Sequence, residues 1–135
     1  MEKDCIFCKI AKGKIPSVRI WEDKKHFAFL DLRPSREGMT LVIPKKHFDS
    51  NPTLMPDKPY KDLLVAAKNI AKMLEEKLNV KRVVFAIEGL GVNHIHVKLY
   101  PVYDNESEGS ITAPSGPQKS DEELNKVAEK IRGKL

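Results

Sequence analysis

The chain reads as an α+β domain on three observations. Five short runs carry strand patterning, one long stretch carries the 3.6-residue period of an amphipathic helix, and turn residues separate most of them. Residues 5–12 predict a short helix that Asp4 caps, Gly13 stops and Pro16 keeps from resuming. Residues 18–21, 26–32 and 39–44 predict strands of an antiparallel meander, parted by Glu22-Asp23-Lys24-Lys25 and by Arg33-Pro34-Ser35-Arg36-Glu37-Gly38. A Pro-rich passage over 51–59 leads into the long helix, whose apolar stripe is Leu63, Ala67, Ile70, Leu74 and Leu78. Two further strands, 81–88 and 93–102, flank Gly89-Leu90-Gly91. Residues 103–119 are polar and rich in Ser, Gly and Pro, which predicts a mobile loop. Ser120-Asp121-Glu122-Glu123 is a capping-box sequence that opens a closing helix over 120–133, with Leu124, Val127, Ala128 and Ile131 as its core face. There is no internal repeat, and 1–135 is expected to form one domain with room for a core.

Composition removes several classes of function. A hydrophobic fraction of 41% beside a charged fraction of 32% is that of a water-soluble domain. No apolar run approaches the roughly 18 residues of a membrane span, and Met1-Glu2-Lys3-Asp4 lacks the layout of a secretory signal, so the expected compartment is the cytoplasm. The net charge of +5 suits an anionic ligand. The lysines are nevertheless scattered, with no basic stripe interleaved by aromatics, so nucleic acid is not an expected partner.

The run Asn93-His94-Ile95-His96-Val97-Lys98-Leu99-Tyr100-Pro101 narrows the chemistry. With a period of two, His94, His96 and Lys98 share one face while Ile95, Val97 and Leu99 take the other. An imidazole with a pKa near 6.5 keeps one nitrogen free at neutral pH and can attack phosphorus, and a neighbouring ammonium can hold the phosphate. The same pattern also suits a half-buried strand with a His-rich polar face. Cys5 and Cys8 form a Cys-x-x-Cys, which in a reducing compartment disfavours a disulfide and leaves either a metal site or buried thiols. His26 lies between a charged turn and a strand and is expected to be solvated.

These residues, read in order, resemble the histidine-triad (HIT) family of nucleotide-binding hydrolases and transferases. The resemblance rests on Asp4-Cys5-Ile6-Phe7-Cys8-Lys9-Ile10 with Gly13 and Ile15-Pro16, on Phe27-Ala28-Phe29-Leu30-Asp31, on Gly38-Met39-Thr40-Leu41-Val42-Ile43-Pro44-Lys45-Lys46-His47, and on the His94 run, which follows the signature His-φ-His-φ-His-φ-φ except at Lys98. It covers about three quarters of the chain, from Cys5 to Pro101. The resemblance implies a sheet of five antiparallel strands around one long helix. It implies a nucleophile at His96 that forms a covalent nucleotidyl-histidine with the α-phosphate of a phosphoramidate, an adenylylated compound or a dinucleoside polyphosphate, and then yields it to water. Asp31 takes the place of the ribose-binding acid. Ile6, Phe7, Ile10, Phe29 and Leu30 take those of the residues that sandwich a purine, although each also suits simple core. A subset of the family completes Cys5 and Cys8 with His47 and His94 as a structural zinc site, and family members are homodimers.

Three departures from the family pattern bear on activity. Lys98 stands for the third histidine, so it holds charge but does not deliver protons as an imidazole does. Met39 stands where a histidine is usual. Ile87 and Leu90 occupy a shortened loop where an Asn and a Gly-Gln pair ordinarily bind phosphate oxygens. The sequence therefore also admits a second reading, a zinc-stabilised nucleotide-binding module with little or no catalysis.

Overall fold

Five strands, β1 (Arg19–Glu22), β2 (His26–Leu30), β3 (Thr40–Pro44), β4 (Arg82–Ala86) and β5 (Val97–Val102), pair antiparallel in the order β1-β2-β3-β5-β4. The computed structural model describes residues 3–104, 106, 111 and 116–134. Helix α1 (Ile6–Ala11) covers one face of the sheet, and the long α2 (Asp57–Leu78) covers the other. Alternation along β2 and β3 sorts the two faces. Phe27, Phe29, Leu41 and Ile43 bury with Phe7 and Ile10 of α1, while Ala28 and Val42 bury with Leu63, Ala67, Ile70 and Leu74 of α2. No helix among the described residues is long and apolar enough to cross a membrane.

Helix α1 begins one residue later than its sequence predicts. Its N-cap is Cys5 and not Asp4, and the Cys5 sulfur accepts the Cys8 N–H at 3.3 Å. Helix α2 starts inside the Pro-rich passage, because Pro59 in a first turn gives up an N–H that has no helical partner there. Ahead of it, Pro52–Leu54 forms a 3₁₀ turn that the sequence did not signal. Asn79, in the left-handed region at φ 54°, closes α2.

The strand expected over 93–102 is shorter than its alternation. β5 starts at Val97, since the Ile95 N–H leaves the ladder and donates to the Phe48 carbonyl at 3.1 Å. The two sides still hold, because Ile95, Val97 and Leu99 all bury in the α2 core. Their neighbours His94, His96 and Lys98 therefore lie toward α1.

The closing helix α3 (Asp121–Arg132) carries the predicted capping box, with Ser120 Oγ accepting the Glu123 N–H at 3.2 Å. Its predicted core face does not bury. Leu124 and Val127 are each 53% exposed and Ile131 is 81% exposed. Periodicity specifies a stripe on a helix, but nothing local specifies the surface that covers it. The mobile loop expected over 103–119 falls largely on residues 105, 107–110 and 112–115, outside the described residues.

Candidate active site and metal centre

Three segments far apart in sequence meet on the α1 face. Cys5 and Cys8 come from the start of α1, His47 follows β3, and His94 precedes β5. Their four ligand atoms lie within 4.8 Å of one another. His94 Nδ1 sits 3.3 Å from the Cys5 sulfur and 3.5 Å from the Cys8 sulfur, and His47 Nδ1 sits 3.5 Å from Cys8. Tetrahedral zinc, with bonds of about 2.3 Å to sulfur and about 2.0 Å to nitrogen, spaces neighbouring ligand atoms about 3.3–3.8 Å apart. The donor set therefore fits that ion in both chemistry and spacing.

The tautomer of His94 fits as well. Its Nε2 lies 2.8 Å from the Pro44 carbonyl, which can only accept, so the ring proton is on Nε2 and the Nδ1 lone pair faces the two sulfurs. Burial is the main cause that pushes His94 down to about 4, aided by the nearby rings of His47 and His96. The ring is accordingly neutral at pH 7, as a metal ligand must be.

His96 is 4% exposed, and its Nδ1 lies 2.8 Å from the carbonyl of His94. The same reasoning puts its proton on Nδ1 and leaves the Nε2 lone pair uncommitted. Burial lowers its pKa, as does the Lys98 charge, against the opposing influence of the His94 carbonyl, Glu88 and Asp31. The Phe7 ring stands edge-on to both imidazoles, 5.9 Å from His94 and 5.1 Å from His96 between centroids, and to Phe29 at 5.6 Å. One aromatic thus positions the metal ligand and the neutral nucleophile candidate together. Lys98, two residues on, is held by the Glu88 carboxylate.

These features are those of a known family, and residues 12–105 match the HIT domain. The chain belongs to the HIT family. It is 35% identical over 136 residues to the adenosine 5'-monophosphoramidase of Saccharomyces cerevisiae, across all of this chain and 85% of that one. A crystal structure of a Streptococcus mutans protein matches with a TM-score of 0.81 and 32% identity, over 98% of this chain and 85% of that one. A histidine triad protein of Mycobacterium smegmatis, described as zinc-bound, matches with a TM-score of 0.71 and 30% identity, over 78% of this chain and 80% of that one. The five-stranded antiparallel sheet with three helices is the fold of these neighbours.

Within this HIT fold, most of the residues singled out from the sequence converge. Phe7, Ile10 and Phe29 pack as one buried cluster beside His96, and the exposed Ile6 lies on the rim with Cys5 and His47. The half-buried Asp31 accepts the Arg33 N–H at 2.9 Å, and its charge reaches His96 and Lys98. Leu30 does not join them. It alternates with Phe29 and lies on the opposite face with Met73, Leu74 and Leu78 of α2. His26 departs from expectation too, being buried with its Nδ1 3.2 Å from Asp23. Met39 is buried, and its sulfur accepts from the Ser35 hydroxyl at 3.7 Å. Glu88 is the site residue that sequence reasoning missed. Its signal was a single acid in the short loop ahead of two histidines and a lysine.

Proposed function

We propose that this HIT protein hydrolyses or transfers a nucleoside monophosphate group, through a covalent nucleotidyl-histidine on His96. The observation that carries the reading is the hydrogen bond from His96 Nδ1–H to the His94 carbonyl, which leaves Nε2 as a neutral nucleophile in a rigid, buried setting. In the first step the Nε2 lone pair forms a bond to the α-phosphorus and the bond to the leaving group breaks, its electron pair going to the leaving atom. In the second step water attacks the same phosphorus and gives up a proton to solvent, the phosphorus–nitrogen bond breaks with its electron pair returning to Nε2, and the nucleoside monophosphate departs with His96 restored. That the chain is an enzyme follows from its place among relatives named phosphoramidases and hydrolases.

The substrate is a purine nucleotide with a phosphoramidate, adenylyl or dinucleoside polyphosphate linkage. The yeast relative's name supports the first of these. Asp31 takes the ribose hydroxyls as a two-oxygen acceptor, with Phe7, Ile10, Phe29 and Ile6 toward the base, and Lys98 meets the phosphate. Zinc, held by Cys5, Cys8, His47 and His94, ties α1, the end of β3 and the His96 segment into one unit. A Cys-x-x-Cys arranged for metal supports a cytoplasmic setting. A second copy of the chain covers the apolar stripe of α3 and forms a homodimer.

Turnover of a panel of adenosine and guanosine phosphoramidates and dinucleoside polyphosphates, with products read by mass, tests the reading. His96→Ala abolishes turnover on every substrate if the reading holds. Equal turnover by the wild type and His96→Ala overturns it. One observation favours a second reading, a binding module: Lys98 is already neutralised by Glu88, and Met39 supplies no proton. Tight nucleotide binding that Asp31→Ala weakens, without turnover in the wild type, would establish the module.

A further inference from the structure

The tripeptide Lys24-Lys25-His26 recurs in the chain as Lys45-Lys46-His47. The fold brings the two copies together at one end of the sheet, since His26 pairs with Pro44 in the β2–β3 register and the Lys45 N–H donates to the Lys25 carbonyl at 2.7 Å. Opposite them stands the first turn of α2, which supplies Lys58 and has no side-chain cap at its N-terminus. Together these segments border an open cleft of about 380 Å³ lined by Lys24, Lys25, Lys45, Lys46, Lys58 and the Phe48 ring.

Charge decides what such a cleft can hold. Five lysines in its wall face a single carboxylate, Asp62, which Lys58 engages at 3.0 Å. Lys45 is taken by Glu22 at 2.6 Å. Among the described residues no ion pair involves Lys24, Lys25 or Lys46, although the Lys25 charge reaches the Asp62 carboxylate. Lys46 lies 5.4 Å from the centroid of the Phe48 ring, whose face restrains it. His26, 6% exposed, also lines the cleft, and its Nδ1, 3.2 Å from Asp23, fixes the ring. The positive end of the α2 dipole adds to the same sign of potential.

We propose that this cleft is a second anion site, separate from His96, that takes a chain of linked phosphates. The lysines of the wall come from three separate segments, 24–25, 45–46 and the start of α2, and an extended anion with several charged groups can engage more of them at once than a single phosphate. The shared chemistry is an oligophosphate, supplied either by a nucleoside triphosphate or as free inorganic oligophosphate. The site does not depend on any chemistry at His96.

Calorimetric titration of the full chain with tripolyphosphate tests the proposal. Binding is expected for the wild type and for Lys98→Ala, and is expected to weaken about 10-fold or more in the double variant Lys24→Gln/Lys25→Gln as two charges are lost. Asp62→Asn, which removes the carboxylate from the wall, is expected to tighten it. Equal affinity in the wild type and Lys24→Gln/Lys25→Gln, loss of binding in Lys98→Ala, or no binding by the wild type each overturn the proposal. A parallel titration with ATP in Asp31→Ala separates the two sources. Affinity equal to that of tripolyphosphate assigns the phosphate chain alone, and tighter binding that falls in Phe48→Ala assigns the nucleotide.

Discussion

The carboxylate of Glu88 meets the ammonium of Lys98 at 2.5 Å, joining the loop after β4 to β5 two residues from His96. The Glu88 hydrogen bond raises the lysine above its ordinary 10.5, outweighing the partial burial that works to lower it. A raised cation contributes stability that is complete below the unfolded pKa and is lost as pH rises through the folded one. Lys98 therefore remains charged across the whole neutral range. The ratio of wild-type to Lys98→Ala kcat/KM is accordingly expected to stay flat between about pH 6 and 9, checked by initial rates over that range.

The size of the expected Lys98 effect follows from the proposal that it holds the phosphate as a charge. Lys98→Ala is expected to lower kcat/KM roughly 10- to 1000-fold, as removing a donor to a developing oxyanion does. Glu88→Gln is expected to cost less, because the ammonium survives. Restoring an imidazole by Lys98→His is expected to raise rates on poor leaving groups more than on good ones, because only poor leaving groups need a proton. Rates on a series of substrates graded by leaving-group pKa measure the difference.

Zinc is expected in protein purified without added metal, at one ion per chain by elemental analysis. Cys8→Ser and chelation are both expected to lower the melting temperature, since structural zinc binds the folded state alone. A metal-free wild type whose stability Cys8→Ser leaves unchanged would remove the four-ligand site.

The mass in solution is expected to be twice that of the 15.3 kDa chain by light scattering at micromolar concentration. Ile131→Asp places a charge on the uncovered stripe of α3 and is expected to shift the mass toward one chain, while far-UV circular dichroism stays unchanged.

Gly38 adopts φ 83°, and a Cβ there would run into the Leu78 side chain. Gly38→Ala is expected to destabilise the fold by about 1–3 kcal/mol, combining left-handed backbone strain with overpacking, as read by denaturant unfolding.

Local pattern carried much of this protein. The alternation of Ile95, Val97 and Leu99 against His94, His96 and Lys98 set which side each residue takes, because sidedness depends only on successive Cβ directions. The stripe of α2 and the capping box of α3 were legible for the same reason, each being written within a few residues of chain. Identification of Cys5, Cys8, His47 and His94 as one donor set came from the family likeness, since no spacing rule links residues so far apart in sequence.

Tertiary structure decided the rest. Whether Asp4 or Cys5 caps α1, and where β5 begins, depend on which acceptor lies nearest in space, a sulfur in one case and the Phe48 carbonyl in the other. The Glu88–Lys98 pair and the burial of His26 against Asp23 appear only when loops settle against the sheet. Leu30 is the exception, since its place on the α2 face follows from strand alternation alone and only the shared motif grouped it with Phe29. Among the described residues no surface covers the α3 stripe, since burial belongs to the surface a helix meets as well as to the helix.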